Sequence, residues 1–311
     1  MEENKFIYTI DNISKLNTIC KQIRKIDKTN RYTIKIKQST IKGNIKFTYS
    51  NFDIIGIKEV KLIGSKYGRQ LNKDGKENTT WRTATFKVTG NNNTFTNLTI
   101  INDAINPSKK GQQVALGIYG NNNTFIKCNI KSMLDTLFIG PLPDDLVLRY
   151  LDFIPDDERY KEGTCFTYFK KCFIQGTNDF IFGAGDAYFN KCQIDSIEDM
   201  SYSISHITAP SHSLKDEFGF MFYKCNFTSS SIPQQRVYLG RPWRDFGKSV
   251  FIKCDYGSHI NSNGFNNWDK SSIRYLTARF LEYPRQENRV NWSIQLKKIP
   301  AIYKECIKKY K

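Results

Sequence analysis

The stretch Asn91-Asn92-Asn93-Thr94-Phe95-Thr96-Asn97-Leu98-Thr99-Ile100 returns thirty positions later as Asn121-Asn122-Asn123-Thr124-Phe125-Ile126-Lys127-Cys128-Asn129-Ile130. Self-similarity at that interval marks a solenoid, in which each unit is too small to bury its own apolar face and must stack on the next. Shorter copies, reading aromatic-x-x-Cys-x-hydrophobic, begin at Phe169, Phe189, Phe222 and Phe251. From Cys128 their cysteines step by 44, 20, 33 and 29 residues.

Within each copy apolar and polar residues alternate at period two, as in a strand with one face buried, and Asn or Gly clusters punctuate the ends. Strands that return every 20 to 33 residues with no helical pattern between them predict an all-β fold, a parallel β-helix with aromatic and Cys ladders inside it. A β-sandwich is the alternative, but its strands need shorter and more regular spacing. The expected organisation is one unit: a cap over 1–30, coils over 31–296 and a basic tail over 297–311. In the cap, Asp11 starts a helix over 12–27 whose apolar face carries Ile13, Leu16, Ile19, Cys20, Ile23 and Ile26. The proline-bearing, acidic segment 139–163 interrupts the coils and either shapes a binding cleft or is a simple excursion.

The chain has 311 residues, 39% of them hydrophobic, enough for a large core but long for one compact globule unless the architecture is elongated. No apolar run of about 18 residues is present, and Met1–Ile10 lacks a signal-peptide pattern, so a soluble chain with no membrane partner is expected, cytoplasmic as sequenced. Eight cysteines without a C-x-x-C pair, five of them at one repeat position, fit buried thiols rather than a disulfide framework. The net charge of +17 points to a polyanionic partner, nucleic acid or acidic polysaccharide, unless it reflects a general bias toward Lys, Asn and Ile. No zinc spacing or RNP-like motif supports nucleic acid.

Chemistry centres on Asp179, a carboxylate set in Gly176-Thr177-Asn178-Asp179-Phe180-Ile181-Phe182-Gly183. An ionised group in apolar surroundings costs several kcal/mol unless paired, so this acid either turns the chain or serves a reaction. Stacked coils bring strands distant in sequence to about 4.8 Å, so Asp135 of Leu134-Asp135-Thr136-Leu137 can face Asp179, and the two then titrate as a pair. Arg241, in Tyr238-Leu239-Gly240-Arg241-Pro242-Trp243, can hold the ionised member. With three histidines and no G-x-S-x-G, a serine triad has little support.

These segments, with Gly111-Gln112-Gln113-Val114-Ala115-Leu116, Thr83-Ala84-Thr85-Phe86 and Ile207-Thr208-Ala209, resemble the pectin methylesterases, carbohydrate esterases that remove methyl esters from polygalacturonate. D-F-I-F-G and L-G-R-P-W in this order are specific together. The resemblance implies a right-handed parallel β-helix, with Asp179 as nucleophile and Asp135 as general acid and base. It further implies Gln112 as oxyanion donor, Arg241 orienting Asp179, and Trp243, Phe182 and Phe138 lining the sugar subsites. It implies methyl-esterified polygalacturonate as partner, no nucleic acid, no cofactor or metal, and a monomer; most of the family is secreted. The family's Q-D-T-L reads Leu134-Asp135-Thr136-Leu137 here, so one oxyanion donor is missing, and strand alternation turns Gln113 away from the site. A non-catalytic pectin-binding relative is therefore the alternative. A polygalacturonase or pectate lyase has neither its G-H-G segment nor its acidic calcium cluster here.

Overall fold

A computed structural model describes residues 6–152, 154–159, 165–201 and 203–310. The chain winds as a right-handed parallel β-helix whose coils contribute to three sheets of 11, 8 and 7 strands. One coil runs through Thr94–Thr96, Thr99–Asn102 and Leu116–Ile118; the next runs through Asn123–Ile126, Asn129–Lys131 and Leu137–Ile139. The two that follow use Phe166–Lys170, Phe173–Gly176 and Ile181–Gly183, then Asp186–Asn190, Gln193–Ser196 and Ser205–Pro210.

The repeat motif explains the corner between the first two sheets. Its Phe points inward and stacks on its equivalents: Phe169–Phe189, Phe189–Phe222 and Phe222–Phe251 lie 4.7, 4.5 and 4.9 Å apart, within 6° of parallel. Two residues later the chain turns through a left-handed residue, Lys127, Lys171, Lys191, Lys224 or Lys253. The next side chain, Cys, re-enters the core, where its thiol reaches a Phe carbonyl one coil back, as from Cys172 to Phe125 at 3.3 Å and Cys225 to Phe189 at 3.3 Å. All eight cysteines are free. Five of them, Cys128, Cys172, Cys192, Cys225 and Cys254, complete the corner as small thiol donors.

Both ends differ in detail from expectation. The cap helix is Leu16–Ile26, entered through a 3-10 turn at Ile13–Lys15. Its cap is Asn12, whose side chain accepts from Ser14 N–H at 2.9 Å, while Asp11 pairs with Lys37 instead. Ile13, Leu16, Cys20 and Ile23 are buried, but Ile26 is 90% exposed, because the helix ends there, past the edge of the coil it covers. The basic tail holds a docked helix, Ala301–Lys309, which buries Tyr303 and Cys306 in a cluster with Tyr168, Tyr188, Met221 and Val250 on the outer face of the first sheet. Tyr168, Tyr188, Met221 and Val250 make that face apolar too, a local departure from the alternation of a strand buried on one face only. Lys304, Lys308 and Lys309 point to solvent. Residues 1–5 of the cap, Phe153 and residues 160–163 of the insertion, and Lys311 lie outside the described residues.

The insertion folds back over the third sheet. Glu158 is buried there between Lys46 and Lys87, with Oε1 2.8 Å and Oε2 2.6 Å from the two ammonium groups. Burial lowers the Lys87 pKa more strongly than Glu158 raises it. Lys87 also donates to Trp81 O at 2.8 Å, so the latch fixes the loop that carries Trp81.

Candidate active site

Leu137–Ile139 pairs in register with Ile181–Gly183, Leu137 opposite Ile181. Asp135 and Asp179 each stand two residues before these partners, with φ of 61° and 47°. The left-handed turn and the awkward carboxylate in the sequence are thus one feature: the turn aims the acid outward while Phe180 goes into the core. Gly176 permits it, since a Cβ there would lie 2.3 Å from Phe180 Cβ. Backbone rungs tie the coils together, Asp135 N–H to Asn178 O at 3.3 Å and Asp179 N–H to His206 O at 2.6 Å.

The two acids meet different electrostatics. Asp179, 8% exposed, accepts a two-pronged contact from Arg241, Nε to Oδ1 at 3.0 Å and Nη2 to Oδ2 at 2.5 Å. The guanidinium also stacks on Trp268 at 4.3 Å and donates to Trp268 O at 3.2 Å. No ion pair engages Asp135 among the described residues. Burial pushes its carboxyl well above the ordinary range, the Asp179 charge adds to this, and Arg241 opposes it. Burial and the neighbouring carboxylate thus make Asp135 the member of the pair whose protonated form is favoured.

A cavity of about 310 Å³ is lined by Gln112, Leu134, Asp135, Asn178, Asp179, Phe182, Arg241, Trp243, Trp81 and Trp268. Gly68 leaves room for the Gln112 side chain, since a Cβ there would lie 2.8 Å from Gln112 Oε1. Gln113 is fully buried and does not line the cavity. Trp81 and Trp243 stack at 6.5 Å on one side. Beyond them a second space of about 420 Å³ reaches Arg69, Leu146 and Tyr150, so the insertion walls the groove rather than looping away. Asp145 of the insertion and Arg244 pair at 2.8 Å beside Trp243. Phe138 corrects the expectation: it is 1% exposed and packs beneath Trp81 and Phe182, supporting the wall without lining the cavity.

A sequence model described as Pectinesterase matches residues 5–141 and 157–300. The chain belongs to the pectinesterase family. It is 30% identical over 263 residues to a probable pectinesterase/pectinesterase inhibitor 6 of Arabidopsis thaliana, covering 82% of this chain and 41% of that protein. It thus spans about two-fifths of the length of the curated plant relatives it matches. Among solved structures, a pectin methylesterase from carrot superposes with TM-score 0.75 at 22% identity, over 96% of this chain and 90% of that one. One from Yersinia enterocolitica gives 0.73 at 23%, over 93% and 98%.

Pectinesterase motifs named Gln112, Asp135, Asp179, Arg241, Trp243 and Phe182, and all six line the one cavity. Sequence reading passed over Trp81, Asn178, His206, Asn266 and Trp268. For Asn178 a signal existed, a second polar residue beside Asp179; His206 is one of only three histidines. Asn266 and Trp268 sit in an irregular loop with no periodicity to single them out. No cluster of three or more His, Cys, Asp or Glu able to hold a metal occurs among the described residues.

Proposed function

We propose that this chain is an aspartyl esterase that hydrolyses methyl esters of galacturonate in pectin. The observation that carries this reading is the unequal pair: Asp179 locked by Arg241, and Asp135 one coil away with its carboxyl pushed up. In the proposed reaction an Asp179 oxygen attacks the ester carbonyl carbon, and Gln112 donates to the resulting oxyanion. Collapse breaks the bond to methoxide, which leaves as methanol with the Asp135 proton, and a mixed anhydride remains on Asp179. Water then attacks the galacturonate carbonyl, Asp135 takes its proton, and Asp179 is released as carboxylate.

Several observations support the substrate. Trp81, Trp243 and Phe182 offer flat apolar faces suited to pyranose rings, and the groove continues past Arg69. A structurally similar pectin methylesterase, TM-score 0.72 at 20% identity, is known in complex with a hexasaccharide. Leu134, 8% exposed in the cavity wall, favours the second reading, a pectin-binding relative without efficient chemistry, since losing one oxyanion donor costs about 10²- to 10³-fold in turnover.

Product stoichiometry on highly methylated pectin tests the proposal. Methanol and new carboxyl groups should appear one for one, with no rise in reducing or unsaturated ends. Chain cleavage, or binding without methanol, would contradict it.

A further inference from the structure

We infer that Asn178 brings a second amide donor to the reaction centre, in the role Leu134 has no group to fill, and that His206 and Asn266 set its orientation. The inference rests on the esterase reading above. Asn178 is 4% exposed and lines the cavity beside Leu134, Asp135 and Asp179. Its Oδ1 accepts twice from His206, from the backbone N–H at 2.8 Å and from ring Nδ1 at 3.0 Å. A flipped amide would set its NH2 against that backbone N–H, so the orientation is decided by the contacts. Nδ2 therefore points at the acid, 3.3 Å from Asp179 Oδ2. Its second hydrogen has no partner among the described residues.

The direction of the chain is fixed at each earlier link. Asn267 N–H donates to Asn266 Oδ1 at 2.9 Å, which leaves Asn266 Nδ2 facing His206 Nε2 at 3.2 Å. Nε2 must then be the acceptor and Nδ1 the protonated nitrogen, the tautomer that Asn178 needs. Burial first and the Arg241 charge second keep the ring neutral, with its pKa lowered well below the usual value, and Tyr238 stacks on it at 5.5 Å. Four neutral donors in series thus end on a nucleophile oxygen. An amide so placed donates to Asp179 before attack. As that oxygen bonds to carbon and loses charge, the amide is free to serve the oxyanion that forms beside it, opposite Gln112.

The test is a double-mutant cycle in methanol release, with Asp179→Asn as the inactive control and thermal unfolding to confirm folding. Asn178→Val should lower kcat by about 10²-fold with KM within about 3-fold. It should also move the acidic limb of the kcat/KM profile to higher pH, the charged or titratable groups facing Asp179 being Asp135, Arg241 and His206. Leu134→Gln should raise Asn178→Val by at least ~10-fold more than it raises the parent, because the two donors then substitute for one another. Equal gains in both backgrounds, or an Asn178→Val variant within about 3-fold of the parent, would overturn the inference while leaving the esterase reading intact. A parent no better than Asp179→Asn would sink both. Should Asn178→Val not fold, Asn266→Asp carries the test. That isosteric carboxylate accepts from Nε2, forces the other tautomer, and should lower kcat further than Asn266→Ala. A merely structural role predicts the reverse order.

Discussion

Asp135 and Asp179 occupy the same register position on adjacent coils, each two residues before a paired strand residue and each in a left-handed turn. Identical backbone placement leaves only the surroundings to tell them apart. Arg241 reaches Asp179 alone with a paired contact, whereas burial governs Asp135. Two acids made equivalent by the repeat are made different by one arginine from two coils further on, and that difference is what nucleophile and proton donor require.

The raised Asp135 pKa sets a stability test. The folded state keeps a proton that the unfolded chain releases near pH 3.8, so parent stability falls as pH rises from there toward the raised folded value. Asn carries no such proton. Asp135→Asn should therefore melt above the parent at pH 7, with the gap closing below pH 3.8, while methanol release drops by about 10²- to 10⁴-fold. A gap independent of pH would contradict the assigned environment.

Glu158 predicts a different outcome. Glu158→Gln leaves Lys87 buried without its counter-charge, a change that costs about 3–5 kcal/mol when a buried pair is broken. Urea denaturation should show that loss, and KM should rise because Trp81 loses its anchor. A shift under about 1 kcal/mol would mean the latch is solvated and behaves as a surface pair.

The coils were legible because Phe125, Phe169, Phe189, Phe222 and Phe251 repeat with a Cys three positions on, and a one-dimensional fold writes itself into the sequence once per turn. The candidate site was legible where motifs carry it, at Asp179, Asp135 and Arg241, which the fold brings to one cavity. What stayed hidden depends on contacts without a period. The relay from Asn266 through His206 to Asn178 joins residues 60 and 28 positions apart, and the docking of Ala301–Lys309 needs the outer face of the first sheet to be apolar as well. Phe138 was read by its neighbours in sequence, Thr136 and Leu137, but strand alternation and the ring of Trp81 above it put it under the wall.

The aromatic ladder should bear much of the stability. Phe189 is fully buried between Phe169 and Phe222, so Phe189→Ala should cost about 3–5 kcal/mol in denaturant midpoint analysis. A loss below about 1 kcal/mol would mean the coils close up around the gap.

Charge makes a further prediction. Lys127, Lys171, Lys191, Lys224 and Lys253 form one exposed column, since the Phe two residues before each pairs in register with the next. If the basic surface holds de-esterified galacturonan, KM for partly processed pectin should climb steeply between about 0.05 and 0.3 M salt. Exchanging Lys171, Lys191 and Lys224 for Gln should flatten that dependence. Salt-insensitive turnover on long chains would count against it.

The most direct measurement is the rate of methanol release from methyl-esterified oligogalacturonate by the parent beside Asp179→Asn, with binding of the same ligand measured for both. The account predicts release by the parent, none above background from the variant, and retained binding by each. Equal release from the two chains would contradict it.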